Sequence, residues 1–414
     1  VPDERLRNLR APENVRCSKT EQRALGVNMV NDSTNLSSNG DGGRELETIT
    51  PPEIFNELQK GVLGQGTALQ YTSVAVYKHT TGKVPGNILL IGNSGTGKTT
   101  IMNNIQRMYH EVSEYQPFRA MTIINANLLV DAERLEFQPA RLFAAVEQRA
   151  RALVGEKPSE ADLKATMERA TICIDEIDKM SSIVAGKPNA IGVVLQQGLL
   201  TLMEGEVVAY RAHVWENDVE REVVMSIDTR HMMFICGGAF EGLYDQVYLR
   251  VVKPGSGEKL KSQAIQTADG QVRIETRFAL SDFLKPEDLF EYGMVPQFMA
   301  RFDDVVMLRD LDASVMQEIL LKSVDSPFLR SQRYFNVLGI DLEMEDVAAA
   351  MIAEEAAKST RTGARALRSV FGRIVNRLEF DPWSFEGLEE AADGRKRLLI
   401  TTDMVRRVIK KANT

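Results

Sequence analysis

Residues Gly92-Asn93-Ser94-Gly95-Thr96-Gly97-Lys98-Thr99 constrain this chain more than any other stretch. They follow the apolar run Ile88-Leu89-Leu90-Ile91 and lead into the helix-like segment Thr100-Ile101-Met102-Asn103-Asn104-Ile105. Buried strand, glycine-rich turn and helix together make G-x-x-x-x-G-K-[ST] a phosphate cradle rather than a chance string. Glycines let the backbone curl so that successive N–H groups point inward, at the positive end of the following helix. In such a cradle Gly92 to Gly97 and Thr100 wrap the phosphates, Lys98 reaches the β- and γ-phosphates, and Thr99 offers its hydroxyl to Mg²⁺. The expected ligand is a nucleoside triphosphate.

The rest of the pattern agrees with an α/β fold. Short apolar runs at 88–91, 120–125, 171–174 and 232–236 alternate with helical patterns at 98–110, 139–153 and 190–203. Strands that are apolar throughout and separated by amphipathic helices imply a parallel sheet covered on both faces. From about Ala313 the character changes to helices at 313–325, 345–358, 363–379 and 402–412, with one short strand near 398–401. The expected domains are a polar N-terminal segment at 1–48, a large α/β domain at 49–311 and a smaller, mostly helical domain at 312–414. The first segment is rich in Gly, Ser and Asn between Asn31 and Gly43, a flexible-linker composition. Val207 to Asp228 reads as a protruding hairpin, and Lys253 to Arg277 as a surface loop or disordered insert.

At 414 residues the chain can bury two or three cores, and no apolar run nears the roughly 20 residues that span a bilayer. No charged-then-apolar leader is evident, so the sequence reads as cytoplasmic; its first residue, Val1 rather than Met, fits an expectation that the chain is trimmed. Three scattered cysteines (Cys17, Cys173, Cys236) form no C-x-x-C pair, against a disulfide framework or a zinc module. A formal charge of −8 does not favour a nucleic-acid coat, although a ring pore can be basic while the exterior is acidic.

The second half of the site lies in Ile172-Cys173-Ile174-Asp175-Glu176, an apolar strand ending in two acids. Asp175 at the strand tip is placed to hold the Mg²⁺ shell, usually through water, and Glu176 to act as general base toward the attacking water.

Several stretches resemble the ClpX and HslU family of AAA+ ATPases. They are Ile174-Asp175-Glu176-Ile177-Asp178-Lys179, Phe234-Ile235-Cys236-Gly237-Gly238-Ala239-Phe240, Val62-Leu63-Gly64-Gln65, Ala75-Val76-Tyr77-Lys78-His79, Gln196-Gln197-Gly198-Leu199-Leu200, Gly293-Met294-Val295-Pro296-Gln297-Phe298 and Thr362-Gly363-Ala364-Arg365-Ala366-Leu367-Arg368-Ser369. They are collinear over residues 50–411. The resemblance implies ATP and Mg²⁺ as ligands, Val62 and Leu63 flanking the adenine, and Arg365 reaching the phosphates from the small domain. It also implies Arg301 as an arginine finger completing the neighbouring subunit's site, and hence a homo-oligomer, in this family a six-membered ring. Guanidinium groups there neutralise charge spreading over the transferred phosphoryl oxygens.

Three departures limit what the resemblance implies. Where the family has a paired-cysteine zinc domain, the corresponding stretch here holds only Cys17 and a polar linker, so adaptor recognition through such a domain is not expected. The Gly-Tyr-Val-Gly pore loop is replaced by Asp131-Ala132-Glu133-Arg134-Leu135-Glu136-Phe137-Gln138. There Leu135 or Phe137 either grips a polypeptide in a shifted register, or Phe137 is a hydrophobic anchor beside the helix starting near Pro139. The Ile-Gly-Phe tripeptide that docks the family's peptidase is absent from Gly255-Ser256-Gly257-Glu258-Lys259-Leu260-Lys261-Ser262, so that peptidase is not an expected partner. The leading expectation is an ATP-driven motor of the ClpX type that remodels or unfolds a protein client. The alternatives are a nucleic-acid-associated ring with Arg134, Arg211, His213 and the 253–261 loop lining a cationic channel, and a nucleotide-dependent scaffold with little turnover.

Overall fold

A computed structural model of the protein describes residues 49–266, 272–359, 362–385, 387–390 and 394–412. The polar segment expected at 1–48 lies outside the described residues. Five strands form the central sheet: β1 (Ile88–Ile91), β2 (Met121–Asn125), β3 (Thr171–Asp175), β4 (Met233–Gly238) and β5 (Asp304–Met307), in the order β5-β1-β4-β3-β2. Every pair is parallel, with Ile88 opposite both Ile235 and Asp304, and Cys173 opposite Ile235. This is an α/β fold with a wholly parallel central sheet.

A parallel sheet must be covered on both faces, and the period-two alternation of side chains assigns each residue to one of two cores. Ile88, Leu90, Cys173, Met233, Ile235 and Val306 enter one core, beneath the helix α1 (Lys98–Glu111). Leu89, Ile91, Ile172, Ile174, Phe234 and Cys236 enter the other, with Leu195 and Leu199 of the helix α2 (Ala190–Met203). The strand β5 was not expected from the sequence. It is four residues long, half-exposed, and held by Asn87, whose side chain donates to Arg301 O (3.1 Å) and accepts from Phe234 N (3.1 Å).

A third core is built from residues between Leu311 and Val405. Its helices include α3 (Ala313–Lys322), α4 (Pro327–Val337) and α5 (Arg365–Phe380). The helix expected over 313–325 ends at Lys322, and a second begins after Ser326. That serine's Oγ accepts from the N–H groups of Phe328 (3.1 Å) and Leu329 (3.2 Å), and Pro327 sits in the first turn. The single strand expected near 398–401 is the centre of a three-stranded sheet, parallel to Ile340–Met344 and antiparallel to Leu388–Glu390.

The expected hairpin at 207–228 is present as two ten-residue strands, Val207–Glu216 and Val219–Asp228, turning at Asn217 and Asp218 with φ of 52° and 61°. Asn and Asp tolerate these left-handed conformations, which match the strand twist. The 253–277 segment differs from the loop expected: Lys261–Gln266 pairs antiparallel with Val272–Arg277. Its mixed polar composition hid the alternation that marks strands.

His79 is buried at one edge of the core beneath α1. Its Nε2 donates to Arg169 O (3.1 Å), and its ring stands edge-on to Phe118 at 5.1 Å. Burial, only partly offset by the carbonyls of Arg169 and His231, pushes its pKa from 6.5 down to about 4. The folded state therefore disfavours the charged ring, so this contribution is intact above pH 6.5 and is lost as pH falls toward 4. Denaturant midpoints measured across that window should fall by the equivalent of roughly 3 kcal/mol, and His79→Leu should flatten that part of the profile.

Candidate functional site

The carboxyl ends of β1, β3 and β4 open onto a cleft of about 530 Å³, closed on its far side by α3, α4 and α5. Ligands of open α/β sheets bind at this edge because the turns after the strands place backbone N–H groups and helix N-termini there. Gly92, Asn93, Ser94 and Gly95 follow β1, and Lys98 opens α1. Gly95 and Gly97 have φ of 75° and 111°, the left-handed values that let the loop curl.

Lys98 is buried, and its Nζ donates to the carbonyls of Gly92 (2.6 Å) and Asn93 (3.0 Å). The ammonium group is thus held by the loop it serves. Burial lowers its pKa, Asp175 and Asp178 oppose that shift, and Arg365 adds to it. An anion in the loop would meet a cation already stripped of much of its water.

Thr99 Oγ1 donates to Asp175 Oδ2 at 2.6 Å, and Asp175 Oδ1 accepts from Glu176 N at 2.9 Å. Glu176 has φ of 58°, uncommon for a residue with a side chain, and its Oε2 accepts from Asn125 Nδ2 at 2.5 Å. The hydroxyl and carboxylate oxygens of Thr99 and Asp175 fit Mg²⁺, which uses one or two protein oxygens and completes its shell with phosphate and water. Among the described residues no group of three or more His, Cys, Asp or Glu could hold a metal ion.

The opposite wall comes from the third core. Arg365 Nη1 donates to Ser94 Oγ at 2.5 Å, and Ala364 N donates to Gly95 O at 3.0 Å. A Cβ on Gly95 would lie 2.3 Å from Thr362 O, and one on Gly363 would lie 2.6 Å from Gly95 O, so only glycine fits at either position. Val62, Leu63, Ile319 and Pro327 add apolar side chains to the lining of the cleft. Within the loop, Thr96 is buried and its hydroxyl donates to Asn93 O (2.8 Å), while Thr100 lies exposed on the first turn of α1.

Arg301 does not line this cleft. It lies exposed beyond the short helix Pro296–Met299 and pairs with Glu204. Of the two candidate gripping residues, Phe137 packs on α2, where a Cβ on Gly198 would come within 2.2 Å of its ring. Leu135 is exposed, with φ of 54°. Arg134 is exposed beside it. The cationic surface expected from Arg211 and His213 is offset by cross-strand partners, Glu222 and Glu220, each 3.7 Å away.

Sequence reasoning missed Asn125, which closes β2 directly opposite Asp175 and so stands at the same sheet edge. Pairing the two predicted strands would have found it. It also missed Asp178, whose buried Oδ1 accepts from Ala239 N (3.1 Å) and ties the acidic turn to the end of β4.

The family AAA domain (Cdc48 subfamily) matches residues 83–305. The chain is 27% identical over 387 residues to the ATP-dependent Clp protease ATP-binding subunit ClpX of Bacteroides thetaiotaomicron, covering 89% of this chain and 83% of that protein. The protein of the same description from Porphyromonas gingivalis is 27% identical over 344 residues, covering 78% and 76%. That from Bacteroides fragilis is 26% identical over 387 residues, covering 89% and 83%.

One buried amide fastens the loop to the sheet. Gln65 Nε2 donates to Thr96 O (3.0 Å) and Arg309 O (2.8 Å), while its Oε1 accepts from Arg309 N (3.0 Å). Gln65→Met preserves bulk but leaves these backbone groups unpaired. Chemical denaturation should report a loss of roughly 2–4 kcal/mol, since each buried orphan costs about 1–3 kcal/mol.

Proposed function

The chain belongs to the AAA domain (Cdc48 subfamily) family, and we propose that it is a ClpX-like, ATP-hydrolysing ring motor that remodels or unfolds a protein partner. The observation that carries this reading is the line Thr99, Asp175, Glu176, Asn125, which continues the phosphate loop across neighbouring strands. In this reading residues 49–311 are the large ATPase domain and 312–414 the small one. The ring is a hexamer, Val62 and Leu63 flank the adenine, and the phosphate loop from Gly92 to Thr100 wraps the triphosphate.

Lys98 and Arg365 neutralise charge on the phosphates. Thr99 and Asp175 are the residues that would hold Mg²⁺, which when bound would withdraw charge from the phosphate oxygens. Glu176 takes a proton from water as its oxygen bonds to the γ-phosphorus and the bond to the ADP oxygen breaks. Asn125 holds the Glu176 carboxylate until then. Because Arg301 lies outside its own cleft, it serves as the finger for the next subunit's site, stabilising the charge that develops there.

The contact of Gly95 with Gly363 and Ala364 supports a mechanical link. A ligand that reshapes the loop must move the backbone of the small domain, since no compressible side chain lies between them. The client is held where Leu135 projects, with Phe137 anchoring the turn. The changed 253–277 segment supports action without the family's usual peptidase.

Glu176→Gln tests the chemistry. The variant should bind ATP as tightly as wild type, while turnover falls about 10²–10⁴-fold. Remodelling of a client should stop with it. Client remodelling that survives loss of turnover would instead identify a nucleotide-dependent scaffold.

A further inference from the structure

Two arginines in the cleft have no role in the account above. Arg368 lies one turn beyond Arg365 on α5, and Arg330 one turn beyond Pro327 on α4; all four line the same cleft. Residues three apart on a helix share a face, so α5 turns Arg365 and Arg368 toward the cleft and α4 turns Arg330 toward it beside Pro327. Both guanidinium groups are exposed, and among the described residues neither has a side-chain hydrogen bond or an ion pair. Asp325 also lines the cleft, and among the described residues no ion pair joins it to Arg330. Arg365, by contrast, is engaged with Ser94 at the loop.

Position along α5 separates their tasks. Arg368 stands about 4.5 Å further along the helix axis than Arg365, away from the loop. Apolar residues Val62, Leu63, Ile319 and Pro327 line the same cleft beside these arginines. Lys98 and Arg365 serve the loop end, and Lys179, which also lines the cleft, is paired with Asp178, so the phosphate nearest the nucleoside has no cationic side chain assigned to it. Guanidinium groups suit that task because their forked donors match phosphate oxygens.

We propose that Arg330 and Arg368 form a cationic subsite for the α-phosphate, binding it equally in ATP and ADP. This rests on the nucleotide reading of the cleft and adds to it two binding residues whose work is retention of the nucleotide rather than hydrolysis. Uniform ground-state binding of this kind raises KM when removed and leaves kcat unchanged.

Calorimetric titration of the full chain with ADP, AMP and adenosine distinguishes the outcomes. Arg368→Ala and Arg330→Ala should each weaken ADP and AMP about tenfold, as expected for loss of a charge-assisted hydrogen bond. Adenosine affinity should stay unchanged, kcat at saturating ATP should be retained, and Arg368→Lys should recover part of the loss. Unchanged ADP and AMP affinity in the folded double variant would overturn the subsite. Equal losses for ADP and adenosine would overturn it as well, by placing the arginines against the base. Absence of binding of any of these ligands to the wild-type chain would instead overturn the nucleotide reading itself.

Discussion

Gly95 and Gly363 approach so closely that a methyl group on either would collide with the backbone of the other's segment. The rest of the cleft depends on this contact. It brings Ala364 N onto Gly95 O and places Arg365 against Ser94, so a helix of the third core becomes a wall of a site that otherwise belongs to the parallel sheet. Residues separated by 271 positions in sequence meet there. In the proposed motor, a site shared between two cores in this way would report its contents to both of them. In a motor that reporting is the function, because ligand-dependent changes are transmitted through close packing rather than through flexible side chains.

On the sheet side, the cleft is arranged around unfavourable placements. Lys98 is withdrawn from water and held by two loop carbonyls, and Glu176 occupies left-handed backbone. Each costs free energy that the surrounding structure offsets: Gln65 and Asn93 brace the loop, and Asn125 and Asp178 brace the acidic turn. Strain held by such neighbours is a common mark of functional sites, and here it lies on the two residues that the proposed chemistry uses most.

Much of this was legible in the sequence. The apolar runs at 88–91 and 171–174 are buried throughout, so no surface pattern obscured them, and the loop and acidic tip follow at their ends. Arg365 was legible through its neighbours Gly363 and Ala364. What was not legible depended on pairing. Asn125 gains meaning only opposite Asp175, and β5 is a strand because Asn87 and β1 hold it. Ser326 separates two helices by capping the second, a signal present in Ser326-Pro327 but outweighed by the helical pattern around it. Arg330 and Arg368 look like surface cations until α4 and α5 are packed together. The polar alternation at 261–266 and 272–277 carried too little hydrophobic contrast to be read as strand.

The central claim is that each site is completed by a neighbouring chain through Arg301. Mixing two inactive proteins tests it most directly: one carrying Glu176→Gln, the other Arg301→Ala. In mixed assemblies some interfaces unite an intact Glu176 with an intact Arg301, so ATP turnover should reappear on mixing and peak near equal amounts. Turnover that stays absent at every ratio, in assemblies shown to contain both chains, would contradict the account.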